Sequence, residues 1–152
     1  MRTLVLVVAT VGGVGYVPVA PGTAGTLVAL PLLPVLGAVG ARSLGIELGI
    51  VAAIVALAVW AAGRAEAILQ QPDSSRIVVD EVAGLAVAGL FVPVTWRAAG
   101  LAFILFRVFD VLKPFPAGLI DARLDGGLGV VGDDVVAGVY AGLAARLLLE
   151  VV

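Results

Sequence analysis

The sequence predicts an all-α protein, a compact bundle of about four to six apolar helices, several of them membrane-spanning or re-entrant. Three observations predict it. Hydrophobic residues make up 62% of the chain and charged residues 13%, with a mean hydropathy of +1.20. A soluble domain is about half apolar and a quarter charged, so lipid is the expected solvent. The apolar residues come in runs, with no internal repeat and no strand-like alternation. The charges, prolines and glycines collect in blocks between those runs, so polar loops are expected to converge on one interface. Residues 1–152 are read as a single domain.

Composition narrows the chemistry. The net charge of -2 gives no basic surface for nucleic acid. There is no cysteine and no histidine, which excludes disulfides, cysteine-based catalysis, Cys/His zinc sites and histidine bases. Acid–base and metal chemistry then falls to Asp and Glu, hard oxygen ligands suited to Mg²⁺ or Mn²⁺.

The N-terminal stretch MRTLVLVVATVGG looks superficially like a signal peptide but has no clear cleavage region, so it is read as part of the mature protein. Leu4 to Val11 is too short to cross a bilayer and is expected at the interface. Gly12 to Thr26 reads as a loop by its glycines and prolines. A helix starting near Thr26 would turn its N-terminus toward whatever that loop holds, which favours anions. The plainer reading is a tight loop capped by Thr26.

Leu27 to Val39 is apolar, short for a span, and carries Pro31 and Pro34 in its first turns. After the polar break Ala41-Arg42-Ser43, Leu44 to Ala62 is the clearest transmembrane candidate. Its Gly45 and Gly49 have the spacing that lets helices approach closely in lipid, and Arg64 and Glu66 are expected to end it. Glu47, near Arg42, is placed at the far interface. Gln70 to Arg76 is a loop, Val82 to Val92 is apolar, and Pro93 to Arg97 turns the chain. Ala98 to Leu112 is apolar apart from Arg107 and Asp110. Lys113 to Gly132 is read as a loop, and Val135 to Val152 as a last span, with Gly138 and Gly142 repeating the close-packing spacing.

Tracing these segments as hairpins brings four polar stretches to one side: Gly15 to Thr26, Asp80-Glu81, Arg107 to Lys113, and Asp133-Asp134. Arg64, Arg76, Arg107, Lys113 and Arg123 share that side, and only Arg42 and Arg97 lie opposite. The asymmetry places the polar side in the cytoplasm.

Asp80-Glu81 and Asp133-Asp134 are adjacent acidic pairs, each expected to open an apolar segment. N-capping explains one acid per helix, but neighbouring carboxylates repel, and a divalent cation offsets that repulsion. Arg107 and Asp110 share a helix face and suit an internal ion pair. Lys113 precedes Pro114, which disfavours helical geometry there and releases it toward the loop. Arg and Lys beside a glycine-rich loop suit a phosphate. Pro114-Phe115-Pro116 is a rigid apolar turn that stops the helix and can rest at the lipid interface. Gly126, Gly127 and Gly129 either let backbone approach a ligand or permit a turn. Glu66, Asp73, Asp121 and Asp125 read as solvated charges.

Four ordered blocks then match a family. Gly13 to Thr26 reads G-x-G-x-x-P-x-A-P-G-T-x-G-[ST]; Ile77 to Glu81 reads I-V-x-D-E; Phe106 to Pro116 reads F-R-x-x-D-x-x-K-P-x-P. Gly126-Gly127-Leu128-Gly129 with Asp133-Asp134 and Ala137-Gly138 closes the set. Over nearly its whole length the chain resembles the phosphatidylglycerophosphatase A family of bacterial membrane lipid phosphatases. The resemblance implies Mg²⁺-dependent removal of the terminal phosphate of phosphatidylglycerophosphate in glycerophospholipid biosynthesis, at the bacterial inner membrane, with the site facing the cytoplasm. It also raises the standing of Glu66 and Asp73. Ser74 and Gly132 depart from the family pattern, where proline and a larger apolar residue are usual.

On this reading Asp80, Glu81, Asp133 and Asp134 hold Mg²⁺, and Gly22, Thr23, Arg107 and Lys113 bind the phosphate of the substrate lipid. Asp110 is the candidate base or nucleophile, and Asp80 and Asp134 are the acids whose loss should abolish turnover. Two other readings are kept. Asp121-Ala122-Arg123 with the later aspartates faintly echoes CDP-alcohol phosphotransferases, but Asp133 and Asp134 are adjacent instead of four apart. A small transporter or scaffold subunit would instead place its acids mid-span.

Overall fold

The computed structural model describes residues 1–151. Among them there are eight α-helices, one 3₁₀ turn and no strand. The helices are α1 (Arg2–Ala9), α2 (Pro21–Ala29), α3 (Leu32–Gly40), α4 (Leu44–Leu69), α5 (Val79–Gly89), α6 (Trp96–Leu112), α7 (Ala117–Arg123) and α8 (Gly126–Val151); the 3₁₀ turn is Val14–Tyr16. Three stretches are long and apolar enough to cross a membrane: Pro21–Gly40, Leu44–Leu69 and Gly126–Val151.

Local chemistry sets most helix ends. Ser43 caps α4, its hydroxyl accepting from Ile46 N at 3.4 Å, and Thr95 caps α6, accepting from Ala98 N at 3.1 Å. The α2–α3 break falls at Leu30 and Pro31, because proline supplies no N–H to the ladder. α6 stops at Lys113, the residue before Pro114, which takes a left-handed conformation (φ 43°, ψ 57°).

Four boundaries differ from the sequence expectation. α2 begins at Pro21, five residues before Thr26, since proline suits the first helical position. Thr26 is therefore a fully buried interior residue and caps nothing. α4 runs on through Arg64 and Glu66 to Leu69, because two charges on the exposed end of a long helix do not break it. The stretch expected to be loop from Lys113 to Gly132 contains α7 and the first two turns of α8. Asp133 and Asp134 consequently do not open a helix. They lie about 10 Å along α8 from its start.

α8 is the central strut, packing on α5, α6, α4 and α7, while α1 leans on the outer side of α4. Nearly every residue of α5 is buried, and the core is rich in alanine: Ala58, Ala61, Ala62 and Ala65 of α4, Ala83 and Ala88 of α5, Ala137 and Ala141 of α8. Lipid offers little hydrophobic force between helices, so small residues that allow close packing must do the work. Gly138 and Gly142 are used this way. A Cβ at Gly138 would collide with Gly84 O, and one at Gly142 would sit 2.7 Å from Ala88 O. Gly45 and Gly49, with the same spacing, are not. Both are exposed, and nothing lies within 4 Å of a Cβ built at Gly49. Gly127 meets α4 at Val59 and Gly63 and faces no ligand space. Outward-facing Ile46, Ile50, Leu57, Leu143 and Leu147 form the apolar surface expected against lipid.

Candidate active site

Glycine at position 22 opens the cavity. A Cβ there would strike the Glu81 carboxylate, so the start of α2 approaches α5 closely enough to share one site. The first N–H groups of a helix lack internal acceptors. Pro21 has none to offer and Ala24 N donates to Ala20 O at 3.1 Å, which leaves the Gly22 and Thr23 groups at the rim, beside a cavity of about 320 Å³.

All nine residues singled out from the sequence line this cavity: Gly22, Thr23, Asp80, Glu81, Arg107, Asp110, Lys113, Asp133 and Asp134. The hairpins bring α2, α5, α6 and α8 together at one end of the bundle, as traced. Asp73, Ser74 and Ser75 of the α4–α5 loop also line it. Ser74 is buried and donates to Gln71 Oε1 at 3.2 Å, so its hydroxyl braces the loop. Gly132 leaves room for α7, since a Cβ there would lie 2.9 Å from Ile120 Cγ2.

The cavity has two unlike halves. In the first, Arg107 Nη1 contacts Glu81 Oε2 and pairs with Asp110 Oδ2 at 2.9 Å. The Thr26 hydroxyl lies 2.9 Å from both Glu81 Oε2 and Gly22 O, and 3.5 Å from Arg107 Nη1. Thr26 is a site residue that the sequence reading passed over by treating it as a cap; its position in the P-G-T-x-G-T run was the available signal. Across the cavity, Lys113 Nζ bridges Asp133 Oδ2 at 2.7 Å and Asp121 Oδ1 at 2.9 Å. Burial disfavours the Lys113 charge, but these two hydrogen bonds outweigh it and raise its pKa above the ordinary lysine value.

The second half holds oxygens without donors. Asp80 Oδ1, Asp133 Oδ1 and Asp134 Oδ2 are buried and have no hydrogen-bond partner. Carboxylate oxygens of Asp110, Asp133 and Asp134 all lie within 4.8 Å of one another. Asp80 lies in the first turn of α5, outside the three long spans. Burial drives its carboxyl well above the usual carboxylate range, and the charges of Glu81 and Asp133 push the same way. Six carboxylates line the cavity against two cations. Unpaired buried carboxylate oxygens are costly, and clustered ones suit a hard divalent ion. The geometry sorts the acids differently from the sequence reading. Asp110 stands with Asp133 and Asp134, while Glu81 is engaged by Arg107 and Thr26.

Glu66, Asp121 and Asp125 lie in an adjoining cleft of about 320 Å³ that shares Asp73 and Val130 with the cavity. Glu66 Oε1 accepts from Asp73 N at 2.7 Å and so shapes the loop. Glu47 is buried at the opposite end of α4, under Gly40 and remote from the cavity.

Comparison with known proteins points the same way. A Haemophilus influenzae protein named phosphatidylglycerophosphatase A is 43% identical over 70 residues, covering 45% of this chain and 43% of that protein. A Bacteroides thetaiotaomicron protein, provisionally named a phosphatidylinositol-3-phosphatase, is 41% identical over 87 residues, 55% of this chain and 53% of its own. The Escherichia coli K12 phosphatidylglycerophosphatase A is 36% identical over 70 residues, 45% of this chain and 41% of that protein. The chain thus spans about half the length, or less, of the curated relatives it matches. No solved structure matches it. The profile of one family, described as phosphatidylglycerophosphatase A, covers residues 7–149. With four sequence blocks gathered around one cavity and nearly the whole chain matched, this protein belongs to the phosphatidylglycerophosphatase A family.

Proposed function

We propose that this chain is a membrane-embedded lipid phosphatase that hydrolyses the terminal phosphomonoester of phosphatidylglycerophosphate to phosphatidylglycerol and inorganic phosphate, a step of glycerophospholipid biosynthesis. The observation that carries the reading is the pairing of donor-free buried carboxylates with Arg107, Lys113 and a helix N-terminus in one cavity. The asymmetry of Lys and Arg along the hairpins supports a cytoplasmic-facing site in the bacterial inner membrane.

The clustered carboxylates of Asp110, Asp133 and Asp134 fit a Mg²⁺ ion, and the donor-free oxygen of Asp80, near enough to feel the Asp133 charge, suits a supporting ligand. When bound, Mg²⁺ would polarise a phosphoryl oxygen and offset the charge that develops there. Arg107 presents a planar fork to a phosphate oxygen, and Glu81 and Thr26 fix its orientation. Lys113 adds a second positive charge, and the Gly22 and Thr23 N–H groups a third contact. Asp110 faces both Arg107 and the aspartates, which suits it to take the proton of an attacking water or to attack phosphorus itself.

The test is phosphate release from phosphatidylglycerophosphate by the full chain in detergent micelles, with Mg²⁺ and with chelator. Release only with Mg²⁺ is expected. An inert protein across several lipid phosphates would overturn the reading. The Bacteroides relative supports a second substrate, phosphatidylinositol 3-phosphate. A higher kcat/KM on that lipid would move the assignment to it.

A further inference from the structure

The candidate active site does not use Arg2 or Arg64. Both line a separate cavity of about 610 Å³ between α1 and the C-terminal half of α4. Its other walls are mostly apolar, Met1, Val5, Trp60, Ala67 and Ile68, with Gln70 as the one further polar side chain. Arg2 Nη2 donates to Ile68 O at 3.4 Å, which ties that guanidinium to the C-terminal end of α4. Neither arginine is neutralised. Among the described residues, the ion pairs are made by Arg107, Lys113 and Arg146. Glu66, two residues from Arg64, points to the opposite face of α4 and is taken by Asp73 N. Trp60 is 40% exposed and one turn from Arg64, toward the apolar outer face that Leu57 and Ile50 continue.

We infer that this cavity binds one anionic glycerophospholipid. The headgroup phosphate lies between Arg2 and Arg64, and the acyl chains run down α4 past Trp60. The chemistry follows from charge complementarity. Two unpaired guanidinia at the end of a spanning helix attract a phosphodiester, and an indole at that level marks the boundary between headgroups and hydrocarbon. The cavity shares no lining residue with the candidate active site, so the lipid would be resident and not the substrate. The inference rests on the membrane reading of α4 and not on the reaction.

The chain contains two tryptophans, so Trp96→Phe leaves Trp60 as the sole reporter. The full-length variant in detergent micelles would be titrated with phosphatidylglycerol or phosphatidylcholine carrying brominated acyl chains, and Trp60 quenching recorded. Each arginine near a phosphate surface contributes on the order of fivefold in binding. With two arginines, the anionic lipid is therefore expected to quench at roughly 25-fold lower mole fraction than the zwitterionic one. Arg2→Gln with Arg64→Gln should remove that preference, and Arg64→Lys should keep most of it. Asp134→Asn, in the other cavity, should leave it intact. Equal quenching by both lipids, or a preference that survives loss of both arginines, would overturn the inference. Displacement of the lipid by millimolar inorganic phosphate would overturn the lipid assignment in favour of a free-anion site. If the double variant aggregates, Arg64→Gln alone decides, with an expected loss of about fivefold and no loss as the contrary result.

Discussion

Asp80 and Glu81 are neighbours in sequence, share the first turn of α5 and look interchangeable as metal ligands. The structure gives them opposite surroundings. Glu81 meets a guanidinium and a hydroxyl, whereas half-buried Asp80 turns one buried oxygen, which no donor reaches, among other carboxylates. One residue step along a helix rotates the side-chain direction by about 100°, enough to send one toward α2 and α6 and the other toward α8. The same division runs through the cavity, with charges paired on one side and oxygens left bare on the other. Adjacent acids can therefore divide the labour of a site: one orients a cation of the protein, the other waits for a cation from solution.

The largest effect is expected at the bare oxygens. Asp134→Asn and Asp80→Asn should each reduce phosphate release by on the order of 10²- to 10³-fold in proteins that still fold, because each would help hold the ion that offsets transition-state charge. Undiminished turnover in both would break the comparison at its root. Glu81→Gln should cost only about tenfold, chiefly through KM, and leave the Mg²⁺ requirement unchanged, since it loosens Arg107 without touching the bare oxygens. A loss of Mg²⁺ response in that variant would return Glu81 to the ligand set.

Stability sharpens the contrast. Arg107→Gln strands Glu81 and Asp110 and is expected to destabilise the protein by about 3 kcal/mol, as for a buried pair deprived of one partner. The same change in a Glu81→Gln background should cost less, and a double-mutant cycle reads the difference. The smallest effect belongs to Asp121→Asn. Asp121 is partly exposed, so its pair with Lys113 should contribute under about 1 kcal/mol. Turnover within about threefold of the parent is expected for so weak a coupling, and a larger fall would give Asp121 a part in the site.

How much of this was legible in the sequence varies by element. The convergence of four distant stretches followed from counting apolar segments, because a hairpin returns to its starting side whether or not it crosses fully. The start of α8 was not legible. Gly126, Gly127 and Gly129 read as turn or ligand-approach residues within an expected loop, yet Gly127 lets α8 press against α4 and Gly132 lets it press against α7. That moved Asp133 and Asp134 from a helix start into its third turn. Glycine spacing alone also failed to tell Gly45 and Gly49 from Gly138 and Gly142, since only the neighbour decides whether a missing side chain is used. Thr26 was hidden by its own loop, where a proline at the first helical position outranked the threonine as the start signal. The parting of Asp80 from Glu81 depends on which helix each one meets, and that is a property of packing alone.

The most direct test of the central claim is metal binding itself. Mn²⁺ serves as a spectroscopic substitute for Mg²⁺, and its free concentration can be followed by electron paramagnetic resonance with the full chain in detergent. The account predicts that the parent and Glu81→Gln bind Mn²⁺ alike, while Asp133→Asn and Asp134→Asn lose binding. Retention in both aspartate variants, or equal loss in Glu81→Gln, would contradict it.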